Sequence, residues 1–152
     1  MQLSEHFTLE ELTRSAIADA EHIDNHPTES WEIDNLKFLC ENILEPIREN
    51  YGTPFSPSSG YRSPELNEFV GGSGNSQHCQ GEAADSSVPR VSNLALAWWI
   101  RTHTDFDQLI LECYEMDRPG SGWVHVSTKA SGNVRHEVLT YDGESYTEGI
   151  PG

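Results

Sequence analysis

Phe106-Asp107-Gln108-Leu109-Ile110-Leu111-Glu112 and, after the interval 113–122, Trp123-Val124-His125-Val126-Ser127 form the stretch that decides the fold. Both runs alternate. Strand side chains point to opposite faces with a period of two. Phe106, Gln108, Ile110 and Glu112 therefore share one face, and Asp107, Leu109 and Leu111 the other. In the second run Trp123, His125 and Ser127 stand together, opposite Val124 and Val126. The interval holds Asp117, Pro119, Gly120 and Gly122, residues that turn a chain, so the runs are predicted to pair as an antiparallel hairpin. A register closing near the middle of the interval puts Glu112 opposite Trp123 to His125.

Upstream the pattern changes to helices. Thr8-Leu9-Glu10-Glu11 reads as a capping box that opens a short helix burying Leu9, Leu12 and Ala16. The polar segment from Asp19 to Ser30 reads as a loop. Ile33, Leu36, Leu39 or Cys40, Ile43, Leu44 and Ile47 recur at helical spacing as far as Gly52, with Pro46 expected to kink the helix or start a new turn. The Ser-, Pro- and Gly-rich run from Pro54 to Tyr61 suggests an irregular edge strand, and Ser63-Pro64 caps a short helix over Glu65 to Val70. Gly71 to Asn75 forms a loop, Ala83 to Val88 a strand, and Ser92 or Asn93 caps a helix through Arg101 with Leu94, Ala97 and Trp98 on one face. Val138 to Tyr141 reads as a last strand. Helices first and strands last give an α+β domain over residues 1–141, and the polar, glycine-rich residues 142–152 read as a flexible tail.

A chain of 152 residues can bury a core without metal or disulfide staples. Cys40, Cys79 and Cys113 are odd in number and include no CxxC pair, which suggests neither a disulfide framework nor a cysteine zinc knuckle. A net charge of -16 with only 9 Lys and Arg opposes binding to nucleic acid or an anionic membrane surface. The start Met1-Gln2-Leu3-Ser4-Glu5-His6 lacks the basic and apolar pattern of a secretory signal, so synthesis in a reducing cytosol is expected. A monomer is expected too.

Two histidines, a carboxylate and an arginine supply the parts of a zinc site for an anionic peptide: His78, Asp85, His125 and Arg62. Three protein ligands with a fourth position left open distinguish catalytic from structural zinc. His78 and Asp85 are seven residues apart, a spacing that requires a turn, which Gly81-Glu82 can supply. Glu112, beside His125 across the hairpin, is positioned to take a proton from water activated at zinc. Arg62 can grip a carboxylate through two parallel hydrogen bonds, Ser76 can add another, and Tyr61 or Trp123 can wall the pocket. The remaining histidines, His6, His22, His26, His103 and His136, read as surface residues.

At these residues the chain resembles the M15 family of zinc D-alanyl-D-alanine carboxypeptidases and related L,D-peptidases, including peptidase-type phage endolysins. Ser76, His78 and Asp85 match its Ser-x-His-x6-Asp pattern, Trp123 and His125 its Trp-x-His, and Arg62 its substrate-facing arginine. The resemblance implies a fold with a central antiparallel sheet and N-terminal helices packed on it, of the hedgehog-like type. It also implies Zn2+ held by His78, Asp85 and His125, and hydrolysis of peptide bonds in peptidoglycan stem peptides. One position departs. Many members carry the catalytic acid three residues before the second histidine, where this chain has Gly122. Either Glu112 replaces that acid from the neighbouring strand, or Glu115 or Asp117 reaches in from the loop, or the chain is an impaired module that binds wall peptides or serves in a virion or its assembly. A wall substrate with no signal segment fits a phage or prophage product released at lysis, and export by another path fits it equally.

Overall fold

Thr8 accepts the Glu11 N–H and Glu11 returns a bond to the Thr8 N–H, so the capping box opens α1 (Leu9–Thr13) as its residues dictate. A second short helix, α2 (Ala16–Glu21), follows where the sequence reading passed into loop from Asp19. Ser15 caps its start and His22, in the left-handed region at φ 56°, ends it. Alternation of small and acidic residues gave this helix no apolar stripe to betray it.

The long apolar row runs as α3 (Ser30–Leu39), a π-helical turn (Cys40–Leu44) and α4 (Glu45–Tyr51), ended by Gly52 at φ 64°. Pro46 lacks a backbone N–H and its ring crowds the preceding turn. The π turn, in which the Glu45 N–H reaches back five residues to the Cys40 carbonyl, seats Pro46 in the first turn of α4 without breaking the rod. Ser63 and Pro64 start α5 (Pro64–Phe69), and Ser92 caps α6 (Asn93–His103). The buried face of α6 is Leu96, Ala97 and Ile100, so Leu94 and Trp98 sit at its margin rather than its centre.

In the computed structural model, which describes all 152 residues, five strands form one sheet in the order β1-β3-β2-β4-β5. They are β1 (Ala83–Ser86), β2 (Gln108–Glu112), β3 (Trp123–Ser127), β4 (Glu137–Tyr141) and β5 (Tyr146–Glu148). The hairpin register is the expected one, with Glu112 opposite Trp123 and Ile110 opposite His125. Three of the pairings are antiparallel, while β4 runs parallel to β2. Leu109, Leu111, Val124 and Val126 are fully buried and pack with Leu96 and Ile100 of α6 and with Leu36, Leu39, Ile43 and Ile47 of the long helical rod. Truncating one such leucine to alanine costs about 2–5 kcal/mol. The opposite face of the sheet is left for chemistry.

Two expectations give way here. Phe106 precedes β2 and turns into the core, leaving Asp107 to bind the loop that crosses from β3 to β4: its carboxylate takes the Arg135 backbone N–H and side chain, and its carbonyl takes the Glu137 N–H. Residues 142–152 form no loose tail. β5 pairs with β4, Tyr146 stacks on Tyr141 with ring centroids 4.4 Å apart, and Trp98 donates to the Pro151 carbonyl. Polar composition concealed this because an edge hairpin is held by backbone bonds, not by an apolar pattern. No helix is long and apolar enough to cross a membrane.

Candidate metal centre

β1 and β3 pair so that Asp85 lies directly opposite His125. Facing residues of an antiparallel pair hold their Cβ atoms about 4.5–5.5 Å apart. On its other edge β1 meets the Ser58–Ser59 segment, where Asp85 donates to the Ser59 carbonyl at 2.8 Å and accepts from the Ser58 N–H at 2.8 Å. Asp85 is therefore fixed from both sides.

His78 arrives by another route. A 3-10 turn (Gln77–Gln80) begins at Ser76, whose hydroxyl accepts the His78 N–H at 3.2 Å, and ends at Gly81 with φ 75°. A Cβ at Gly81 would lie 2.5 Å from the Glu32 carbonyl oxygen, so neither the conformation nor the space admits another residue. The chain reverses there and enters β1. That is how a seven-residue spacing brings His78 and Asp85 together.

The three side chains converge, with ligand atoms within 4.8 Å of one another. His78 Nε2 and His125 Nδ1 lie 3.3 and 2.9 Å from the same Asp85 oxygen, Oδ1. His78 Nδ1 donates to the Gly60 carbonyl at 2.7 Å, which fixes the tautomer and frees Nε2 for a metal. Burial alone would raise the Asp85 carboxyl, but hydrogen bonds from His125 and His78 outweigh it and hold the group well below the usual carboxylate range. An ionised carboxylate between two imidazole nitrogens is a donor set suited to zinc, and it leaves coordination positions open. In the other candidate cluster, Glu5, His6 and Glu45, the first two are exposed, and Glu45 is already bonded to Ser4 and His6.

These groups open on a cavity of about 580 Å³ that Glu112, Trp123, Ser76 and Arg62 also line. Trp123 donates its indole N–H to Glu112 Oε2 at 2.9 Å, leaving Oε1 without a hydrogen bond. Burial first, and the nearby Asp85 charge second, push the Glu112 carboxyl above its ordinary value. Glu115 and Asp117 are exposed on the hairpin loop and line no part of this cavity, and Glu115 pairs with Arg118 at 2.6 Å. Gly122 has φ 67°, and a Cβ there would stand 2.0 Å from the Glu112 carbonyl oxygen. The backbone thus closes position 122 to an acidic side chain and presents Glu112 from the facing strand.

Arg62 lies on the β1 side of the cavity. Its Nε donates to Ser59 at 3.2 Å, Nη1 to Asn67 at 3.2 Å and Nη2 to Asp85 Oδ2 at 3.5 Å, which leaves one N–H on each terminal nitrogen. Tyr61 departs from its expected place: it is 3% exposed, packs in the core and borders a separate cavity on the side of Trp31 and Cys79. Its strand-like neighbours explain why, since adjacent residues Tyr61 and Arg62 face opposite ways. Sequence reading missed Asn67, Gln108, Arg135 and Tyr146. Asn67 is buried and joins the Ser73 carbonyl to Arg62, a role that its place on a short helix does not signal.

A family model described as Peptidase M15 matches residues 5–127. No curated protein matches the chain.

Proposed function

The chain belongs to the peptidase M15 family, and from that premise we propose that it is a zinc-dependent peptidase that hydrolyses peptide bonds in bacterial peptidoglycan stem peptides. One observation carries the proposal: Glu112, half-buried and bonded through only one carboxylate oxygen, shares a cavity wall with the converging His78, Asp85 and His125. Bound zinc supplies a Lewis acid for the scissile carbonyl and lowers the pKa of water. His78, Asp85 and His125 would hold it.

The chain's own groups then divide the work. Glu112 Oε1 accepts the proton of the attacking water and returns it to the departing amine nitrogen, a role open to a carboxylate oxygen that has no other hydrogen bond. Trp123 keeps that carboxylate oriented. The two free N–H groups of Arg62 hold a substrate carboxylate, and Ser76 lines the same wall. Both a D-alanyl-D-alanine carboxypeptidase and an L-alanyl-D-glutamate endopeptidase fit these roles.

The alternative of an impaired wall-binding or virion module was motivated by Gly122. Against that alternative, Glu112 lines the cavity of the ligand group from β2 and is available for the role that position 122, closed to a side chain, does not fill. The place of action in this proposal is the cell wall, reached on release at lysis if the protein is phage-encoded. Zinc-loaded protein incubated with purified muropeptides is expected to yield new fragments by mass spectrometry. Intact muropeptides from several wall chemistries after full zinc loading would reject the peptidase reading.

A further inference from the structure

We propose that Arg135 forms a second anion subsite in this cavity, which takes a substrate carboxylate beyond the one held at Arg62. The preferred peptide therefore carries a second carboxylate within reach of the same cavity. This deepens the peptidase reading and rests on it.

Arg135 lines the same cavity as the metal ligands, although it lies outside the family-matched residues, in the crossing between β3 and β4. One edge of its guanidinium is consumed. Nε lies 3.2 Å from both Asp107 oxygens, and Nη2 donates to Asp107 Oδ2 at 2.8 Å and to Gln77 Oε1 at 3.2 Å. Asp107 is fully buried, so the arginine is held on a rigid base. Nη1 makes no hydrogen bond. Its nearest carboxylate, Glu137, is 3.7 Å away and already accepts from Gln108 at 2.6 Å. Two N–H donors on a fixed cation at a cavity wall are preorganised for an anion.

The position differs from that of Arg62. Along the site face of β2 the residues run Gln108, Ile110, Glu112, and Ile110 faces His125. Arg135 belongs to the Gln108 end through Asp107, about one two-residue step, ~7 Å, from the metal row and away from Glu112. Arg62 instead approaches from β1, against Asp85. The chain has net charge -16 and 9 basic residues, two of which line this one cavity.

The test measures binding to the zinc-supplemented Glu112→Gln protein by calorimetry, with two probes: N-acetyl-L-alanyl-D-glutamic acid, and its analogue with the side-chain carboxylate replaced by an amide. The diacid is expected to bind about tenfold or more tightly than the amide, the scale of a charge-assisted hydrogen bond. Arg135→Gln should abolish that preference, and Arg135→Lys should restore only part of it. If Arg135→Gln fails to fold because Asp107 is stranded, the pair Asp107→Asn with Arg135→Gln removes both charges and carries the same expectation. Equal affinity for the two probes, or a preference that survives in a folded variant lacking Arg135, overturns the subsite. Wild-type cleavage of muropeptides with no probe preference would reject the subsite alone, and a probe preference without cleavage would reject only the peptidase reading.

Discussion

The β1–β3–β2 part of the sheet and the β4–β5 part meet along β2, yet they are held by different forces. Every residue of β1 is buried, and Leu109, Leu111, Val124 and Val126 lock β2 and β3 onto the helices. β4 is half-buried along its length and β5 is exposed throughout. Asp85, His125 and Glu112 stand on the first part, with His78 on the turn that leads into β1, whereas the second contributes only cavity wall, through Leu139 and Tyr146. Reacting groups have tolerances of about 0.5 Å, so they belong where packing and pairing over-determine the backbone. Walls tolerate more.

The largest effect that tests this division is Glu112→Gln. With Trp123 still able to bond the side chain, folding and zinc affinity should persist while kcat falls about 10²- to 10⁴-fold, the usual contribution of a positioned acid–base group. Steady-state cleavage of a muropeptide reads this directly. Full activity would put the base elsewhere and remove the reason for locating chemistry in the rigid part. Next comes Gly122→Ala. Strain at positive φ costs about 1–3 kcal/mol, and contact with the Glu112 carbonyl adds to it. Thermal unfolding should shift down by roughly 4 °C or more for a domain of this size. An unchanged melting temperature would mean that the hairpin end is not closed to side chains, and that the missing acid at 122 needs another explanation.

A titration sharpens the comparison further. Because burial and the Asp85 charge raise the Glu112 carboxyl, the folded, metal-free protein holds that proton more tightly than the unfolded chain does. The stability linked to that proton is present below the unfolded glutamate value and lost as pH rises through the folded one. NMR of labelled Glu112 should therefore show a midpoint above the ordinary glutamate range. Asp85→Asn should lower it, and zinc, which adds positive charge to the site, should lower it as well. A midpoint at the ordinary value in metal-free protein would contradict the electrostatic coupling of Glu112 to the ligand group.

Legibility in the sequence follows the same division. Alternation in Leu109–Glu112 and Trp123–Ser127 announced the hairpin and its register because one face had to be apolar. The turn at Gly81 was legible because no regular element bridges seven residues between His78 and Asp85. Phe106 broke the alternation because the strand proper starts at Gln108. β5 and Arg135 were invisible for a related reason: an edge strand bonded through its backbone, and an arginine aimed by a buried aspartate 28 residues earlier, leave no local pattern. The parallel pairing of β4 with β2 depends on that same Asp107–Arg135 anchorage of the crossing loop, a long-range contact.

Tyr146→Ala should have the smallest effect and yet test the division most closely. The ring is 57% exposed, so little core is lost; removing its stack on Tyr141 should cost about 0.5–1.5 kcal/mol. Burial and the negative charge of Glu112 raise its phenol, so the hydroxyl stays protonated at neutral pH and is available to donate to a substrate from the cavity wall. A lost wall contact weakens ground and transition states alike, which raises KM by a few-fold and leaves kcat unchanged. Kinetics on a muropeptide distinguish the cases. A fall in kcat comparable to that of Glu112→Gln would mean that the exposed edge strand takes part in the reaction, and that rigidity of the surrounding fold is not what decides where this enzyme keeps its chemistry.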